Sequence, residues 1–380
     1  MPKDTAKNDR KQKNGAVELL RILAITCILF HHYQQLAGVY YPGGLNFYNG
    51  RFPFQYLVEL FFLLSGFLAA HYIPQIVAGL RFLPFITGRI KRLFPGMVLS
   101  VFTCYVLMYV YYRQFGSYWM DIPINKWRLL VTMLGMGSGW FVPGTQINAP
   151  TWYVSVLFLC LILFYILTMR ENKNGIPIWC CYVFMVLMGT ALWIFISHAE
   201  DKTARIPFFD VYSCRGYYAF FWGLLLNEIS KKKNAMRVAV IWSIAAVVLL
   251  AAYLVWPGPF LSTVNLWLAL AVYPPFLLLL TSEKVKEKTE NWKGVIFFGK
   301  MSYSVYLWHV PFYLALFRFL LKKEIYVDLN RPLVMMAYAV LSWIAGIMAY
   351  YLLEMPFRRI MGYLENFWKE RLGRQGKNDN

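Results

Sequence analysis

Runs of about twenty apolar residues, the length a helix needs to cross the hydrocarbon core of a bilayer, follow one another along almost the whole chain. That core offers no water to unpaired backbone, so each run has to satisfy its own N–H and C=O groups, as an α-helix does. The runs fall near 16–38, 56–78, 93–112, 151–170, 176–198, 212–230, 237–256, 260–281, 295–321 and 332–355. The expected fold is an all-α integral membrane protein with about ten transmembrane helices. Charged residues make up only 15% of the 380, against roughly 25% in a soluble domain. No hydrophilic stretch is long enough to form a second domain. One membrane domain is expected over 16–355, between a basic N-terminal tail (1–15) and a basic C-terminal tail (356–380).

A net charge of +19 would by itself fit a nucleic-acid partner, but its distribution points elsewhere. Of the 38 Lys and Arg, 25 lie between spans on the side shared with both termini and nine on the opposite side. The other four (Arg21, Arg215, Lys300, Arg318) lie within spans or at their edges. The positive-inside rule then places both termini in the cytoplasm, and an even number of spans agrees with both lying on one side. The basic excess is a topology signal with some attraction to anionic lipid, and no nucleic acid is expected as a partner. The six cysteines form neither a CxxC pair nor a zinc spacing, so they read as small buried hydrophobes and no metal is expected. Glu18 and Arg21 interrupt the first apolar run, and no small-residue cleavage site follows it, so an uncleaved helix is expected rather than a signal peptide. The segment 128–147 is broken by Gly135, Gly137, Gly139, Pro143 and Gly144. It reads as a re-entrant or outer-interface segment rather than an eleventh span.

The first helix carries ionisable residues, which are costly inside a membrane and mark function by default. Arg21 and His32 are eleven residues apart, three turns plus about 20° and a rise of about 16.5 Å. They therefore share one face, with Glu18 a turn below Arg21 and able to pair with it. Gln35 extends the stripe, whereas His31 points about 100° away. The plainer reading is an interfacial ion pair and one histidine hydrogen-bonded within the bundle.

From these residues onward the chain resembles the acyltransferase-3 membrane acyltransferases. Arg21-X10-His32, with an acid three before the arginine, is similar to that family's opening motif. Further matches follow in order: Val58 to Phe67 with Ser65-Gly66-Phe67; Arg89-Ile-Lys-Arg92-Leu-Phe-Pro95; Asn148-Ala-Pro150-Thr-Trp152-Tyr-Val-Ser155; and Arg215 with Phe220-Phe-Trp-Gly223. The last two are Gly299 to His309 and Glu354-Met-Pro356-Phe357. One departure is that many members follow Trp-x-x-Ser with a glutamate, where this chain has Val156-Leu157. The resemblance also includes relatives with an appended soluble domain, for which this sequence has no counterpart.

The resemblance implies an O-acyltransferase in the bacterial plasma (inner) membrane. It would move a short acyl group, acetyl foremost, from cytoplasmic acyl-CoA to a hydroxyl of an extracytoplasmic glycan or glycolipid. Acyl-CoA would be a donor substrate, with no permanently bound cofactor. Such a donor needs a basic site at the inner surface, and Arg89 and Arg92, three apart on a helix, can grip phosphate oxygens. Topology-setting charge is the competing account of both. His32 is the expected general base, with a covalent acyl-histidine as the alternative. Arg21 would hold or polarise the thioester, oriented by Glu18. Glu354 could pair with one of these arginines, and His309 and Arg215 are candidate supporting residues. Ser65-Gly66 reads as close packing more than as a nucleophile. Tyr112, Trp119, Trp127, Trp140 and Trp152 could stack on sugar rings or form an interfacial belt.

The alternative function is a polytopic transporter or flippase for a glycan, lipid or small solute. Such proteins often carry inverted repeats, and none is visible. A scaffold would have no use for Arg21 and His32 on one face. Nothing in the sequence specifies the acyl group, the acceptor or an oligomeric state.

Overall fold

The computed structural model describes residues 13–50, 54–119, 122–140, 146–174, 177–198 and 206–363. Most of both tails (1–12 and 364–380) lies outside the described residues. Helices dominate, with no strand among the described residues. In chain order they are α1 (Gly15–Ala37), α2 (Phe54–Val77, tightened into 3₁₀ turns at Phe54–Tyr56 and Ala70–Tyr72), α3 (Phe82–Phe115) and α4 (Lys126–Met133). Then come α5 (Thr151–Asn174), α6 (Ile178–His198), α7 (Val211–Ser230) and α8 (Ala235–Val255). The last four are α9 (Val264–Leu280), α10 (Glu283–Thr289), α11 (Lys293–Lys322) and α12 (Pro332–Tyr363).

Eight of these helices are long and apolar enough to cross a membrane, and α9 with α10, bent by 60°, makes up to nine. Of the ten spans expected, α7 is the one that falls short. At twenty residues it is about 30 Å long, but Arg215, three tyrosines and a polar last turn lower its apolarity. The reason lies in its surroundings. Packed by α2, α5 and α6, it is buried over most of Ser213–Leu226. Protein rather than lipid is its solvent, so it need not be apolar all round. The peripheral helices show the opposite pattern, with Phe195 on α6, Val248 on α8 and Leu333 on α12 all bare. Apolar faces of that kind suit a lipid surround.

One boundary differs from expectation. The basic stretch 79–92, expected as a loop, is helical from Phe82, because α3 runs for 34 residues, about 51 Å. That exceeds the roughly 30 Å of a hydrocarbon core, and Arg89 lies on the helix's third turn. Within 128–147 the only described helix is the end of α4, too short to span at eight residues; residues 141–145 lie outside the described residues. Gly135 and Gly139 then take positive φ, and Gly137, Ser138 and Gln146 line a cavity.

Two glycines let α2 and α7 touch backbone to backbone. A Cβ on Gly66 would overlap the carbonyl oxygen of Phe220, and one on Gly223 that of Leu63, the small-residue contact expected of membrane helices. On α11, Pro311 has no N–H to donate to Leu307 O four residues back. Asn148 Nδ2 donates to that oxygen instead, at 2.9 Å, tying the entry of α5 to α11.

Candidate active site

Two cavities stack along the bundle between the same five helices, α1, α2, α3, α5 and α11. The first, of about 410 Å³, lies at the end of the bundle where Lys13, before α1, and Arg358, late in α12, help to line it. Five cationic side chains face it (Lys13, Arg21, Arg92, Lys300, Arg358) against two carboxylates, Glu18 and Glu354. Glu18 Oε1 accepts from Arg21 Nη1 at 3.0 Å, so the expected pair is formed. Glu354 Oε2 accepts from Arg358 Nη2 at 3.3 Å, while its Oε1 accepts from Ser304 Oγ at 2.7 Å and Trp308 Nε1 at 3.1 Å. Its partner is thus one turn further along its own helix, not Arg21, Arg89 or Arg92. A π-helical turn over Tyr350–Glu354 carries this fully buried carboxylate, and Gly96 leaves room for it. Lys13, Arg92 and Lys300 have no ion-pair partner among the described residues. Lys13, just outside α1, is held below the usual lysine range by its hydrogen-bonding approach to Lys300, with partial burial adding to it. The cavity thus gathers positive charge that the ion pairs among the described residues leave in excess.

Arg89 and Arg92 part company here. Arg92 lines the cavity. Arg89 instead sits between two rings, its Cζ 4.1 Å from the Tyr72 centroid and 4.0 Å from that of Phe85, with Nη1 donating to Phe85 O at 2.6 Å. Ser65 also lines this cavity, but its Oγ meets only Tyr153 OH, at 2.9 Å, with no base to activate it.

The second cavity, of about 360 Å³, lies at the opposite ends of these helices and is walled partly by the loops around Trp119 and Gln146. His32, Gln35, Trp152 and Arg215 line it, as does His31, which the helical wheel alone turns away. The segment after α1 folds back so that Phe47 O accepts from His31 Nδ1 at 2.9 Å, and the cavity wraps two sides of the helix end. His32 Nδ1 lies 3.0 Å from Gln35 Oε1. An amide oxygen only accepts, so Nδ1 carries the hydrogen and Nε2 keeps its lone pair. His309 follows the same rule: Nδ1 donates to Tyr306 O at 2.7 Å, and its buried Nε2 has no partner among the described residues. Its ring lies 5.0 Å from that of His32 but does not line either cavity. Among the described residues no cluster of three His, Cys, Asp or Glu can hold a metal. Of the aromatic residues named from sequence, Trp119 and Trp152 line the cavity, joined by Tyr212. Trp127 is exposed, Trp140 Nε1 donates to Ser155 O, and Tyr112 stacks on Tyr118.

One residue the sequence reading passed over is Glu59. Fully buried on α2, it accepts from Arg215 Nε at 2.7 Å and Nη2 at 2.9 Å, and from Tyr218 OH at 3.2 Å. Arg215 also lies over the Trp152 ring, its Cζ 4.8 Å from the centroid. A lone acid inside an apolar run such as Val58-Glu-Leu-Phe-Phe is itself a signal for a buried cationic partner, and Arg215 was the intramembrane cation awaiting one.

No curated protein and no solved structure matches this chain. The family model described as Acyltransferase domain matches residues 14–351, nearly all of the helical bundle and every residue of both cavities except Lys13, Glu354 and Arg358. With most of both cavities inside that span, the chain belongs to the acyltransferase-3 family and is a multi-pass membrane acyltransferase.

Proposed function

We propose that this chain moves a short acyl group, acetyl foremost, from acyl-CoA in the cationic cavity to a hydroxyl of a glycan or glycolipid in the histidine-lined cavity. The termini and the cationic cavity face the cytoplasm of a bacterium, and the second cavity faces outward from its inner membrane. The observation that carries this reading is His32 Nε2, free to accept a proton in a cavity stacked on one that gathers unneutralised cations. Phosphates of the donor would meet Arg92, Lys13 and Lys300 by charge-assisted hydrogen bonds. The Glu18–Arg21 pair would orient the arginine toward the arm of the donor.

In the chemical step His32 Nε2 takes the proton of the acceptor hydroxyl as its oxygen bonds to the thioester carbonyl carbon. The C–S bond then breaks, and the imidazolium returns the proton to the leaving thiolate. Trp119, Trp152 and Tyr212 offer flat faces to sugar rings. The test is transfer of label from radiolabelled acetyl-CoA into the membrane and glycan fraction of expressing cells at matched protein levels. Label with the wild type that vanishes in His32→Ala supports the assignment; label unaffected by His32→Ala removes His32 from it. No label from any short acyl donor, with folded protein, would count against the donor itself.

A further inference from the structure

The two cavities do not merge, and what separates them is thin. On α1, Ile25 faces the cationic cavity and Ile28 the other, three residues or about 4.5 Å of rise. On α11, Tyr306 and Val310 stand in the same relation, four residues or about 6 Å apart. The wall is therefore about one helical turn thick. Of the residues lining the two cavities, Val58 alone lines both. It is buried on α2, next to the Glu59 that anchors that helix to α7.

We propose that Val58 is the sill of an aperture between the cavities and sets the largest acyl chain that can pass to His32. The inference rests on reading the cationic cavity as the donor site. A phosphopantetheine arm is far longer than one helical turn, so a donor anchored by its phosphates reaches through this wall without leaving its site. The thioester carbon has to arrive beside His32 for the acceptor oxygen to bond to it as the C–S bond breaks. The acyl chain therefore leads and meets the sill first. Valine suits a fixed sill, because a β-branched side chain in a helix holds one χ1 rotamer and cannot swing aside as leucine or methionine can. Removing its two methyls widens the aperture, and a ring in their place closes it.

The experiment uses membranes carrying the full chain as wild type, Val58→Ala and Val58→Phe, supplied with labelled acetyl-CoA or butyryl-CoA. Binding of acetyl-CoA to each purified chain is measured alongside. The expected result is a ratio of butyryl to acetyl transfer raised at least about tenfold in Val58→Ala, the lower end of what one or two methylenes decide in a pocket. Val58→Phe should lose acetyl transfer by at least about tenfold yet still bind acetyl-CoA as the wild type does. An unchanged ratio in Val58→Ala, in a chain that transfers acetyl and binds acetyl-CoA normally, overturns the sill while leaving the donor reading intact. If Val58→Phe loses binding as well, the ratio in Val58→Ala decides alone. A wild type that neither binds acetyl-CoA nor transfers any acyl label refutes the donor reading, and the sill falls with it.

Discussion

Gln35 should control the rate of transfer without touching the donor. Its oxygen accepts the hydrogen of His32 Nδ1, at 3.0 Å from one turn away, which leaves Nε2 as the proposed base. A hydrogen bond of this kind is worth about 1 kcal/mol net, so losing it lets the tautomer ratio drift by about fivefold toward the form with Nε2 protonated and inert. Gln35→Leu, close in size and without the acceptor, should therefore lower kcat by up to about fivefold. The KM for acetyl-CoA should not move, because the cationic cavity lies beyond the wall. Gln35→Glu keeps an acceptor oxygen and should keep most of the rate. His32→Ala sets the scale, since removing a general base costs about a hundredfold or more. Initial rates of label transfer at matched protein levels distinguish the cases. A Gln35→Leu enzyme as fast as wild type would show that Gln35 does not select the tautomer. One as inactive as His32→Ala, while still folded, would show that Gln35 takes part in the reaction itself.

The two arginines of Arg-x-x-Arg should separate by assay. Arg92→Ala should raise the KM for acetyl-CoA by about tenfold or more with kcat little changed, since one charge-assisted hydrogen bond is worth about 1.5–3 kcal/mol. Arg89→Ala should leave that KM alone and lower thermal stability in detergent instead, as cation–π contact is worth about 0.5–2 kcal/mol; the reverse pattern would exchange their roles. Glu59→Gln should be strongly destabilising, by about 3–5 kcal/mol, because it strands a buried guanidinium. Adding Arg215→Met should restore much of that loss, and additive losses in melting experiments would refute the pairing.

Much of this architecture was legible in the sequence, for identifiable reasons. Nine of the ten expected spans match helices that pass as membrane-crossing by length and composition, one of them α9 only when joined to α10, because lipid demands long apolar runs and sequence records them directly. The tenth, α7, is the polar case, where tertiary burial replaces lipid and the apolar signal weakens. The Glu18–Arg21 pair followed from helical spacing alone. What spacing could not supply was where a neighbouring segment folds back. His31 lines the cavity only because Phe47 closes over the helix end, and Glu354 also meets Ser304 and Trp308 of α11, contacts that no spacing within its own helix announces. Arg89 and Arg92 share a face by counting residues, yet Tyr72 on another helix claims one of them.

The wall between the cavities also constrains what kind of membrane enzyme this can be. Under the proposed reading it has to admit an acyl thioester from one side of the bilayer to the other while the two aqueous spaces stay apart. Its side chains on α1 and α2 are Ile25, Ile28 and Val58, with Leu29 buried behind them. An ion passing such an apolar turn would lose its hydration with nothing in return, whereas an acetyl or butyryl chain loses nothing by entering it. The charges that hold a donor are stacked on one face of this wall and the imidazole on the other, so neither has to enter it. A polar residue at position 58 would therefore be expected to damage the cell before it damaged the chemistry. Val58→Asp should raise ion leakage of expressing cells, whereas Val58→Ala, still apolar, should not, and leakage equal in the two would mean that the seal lies elsewhere.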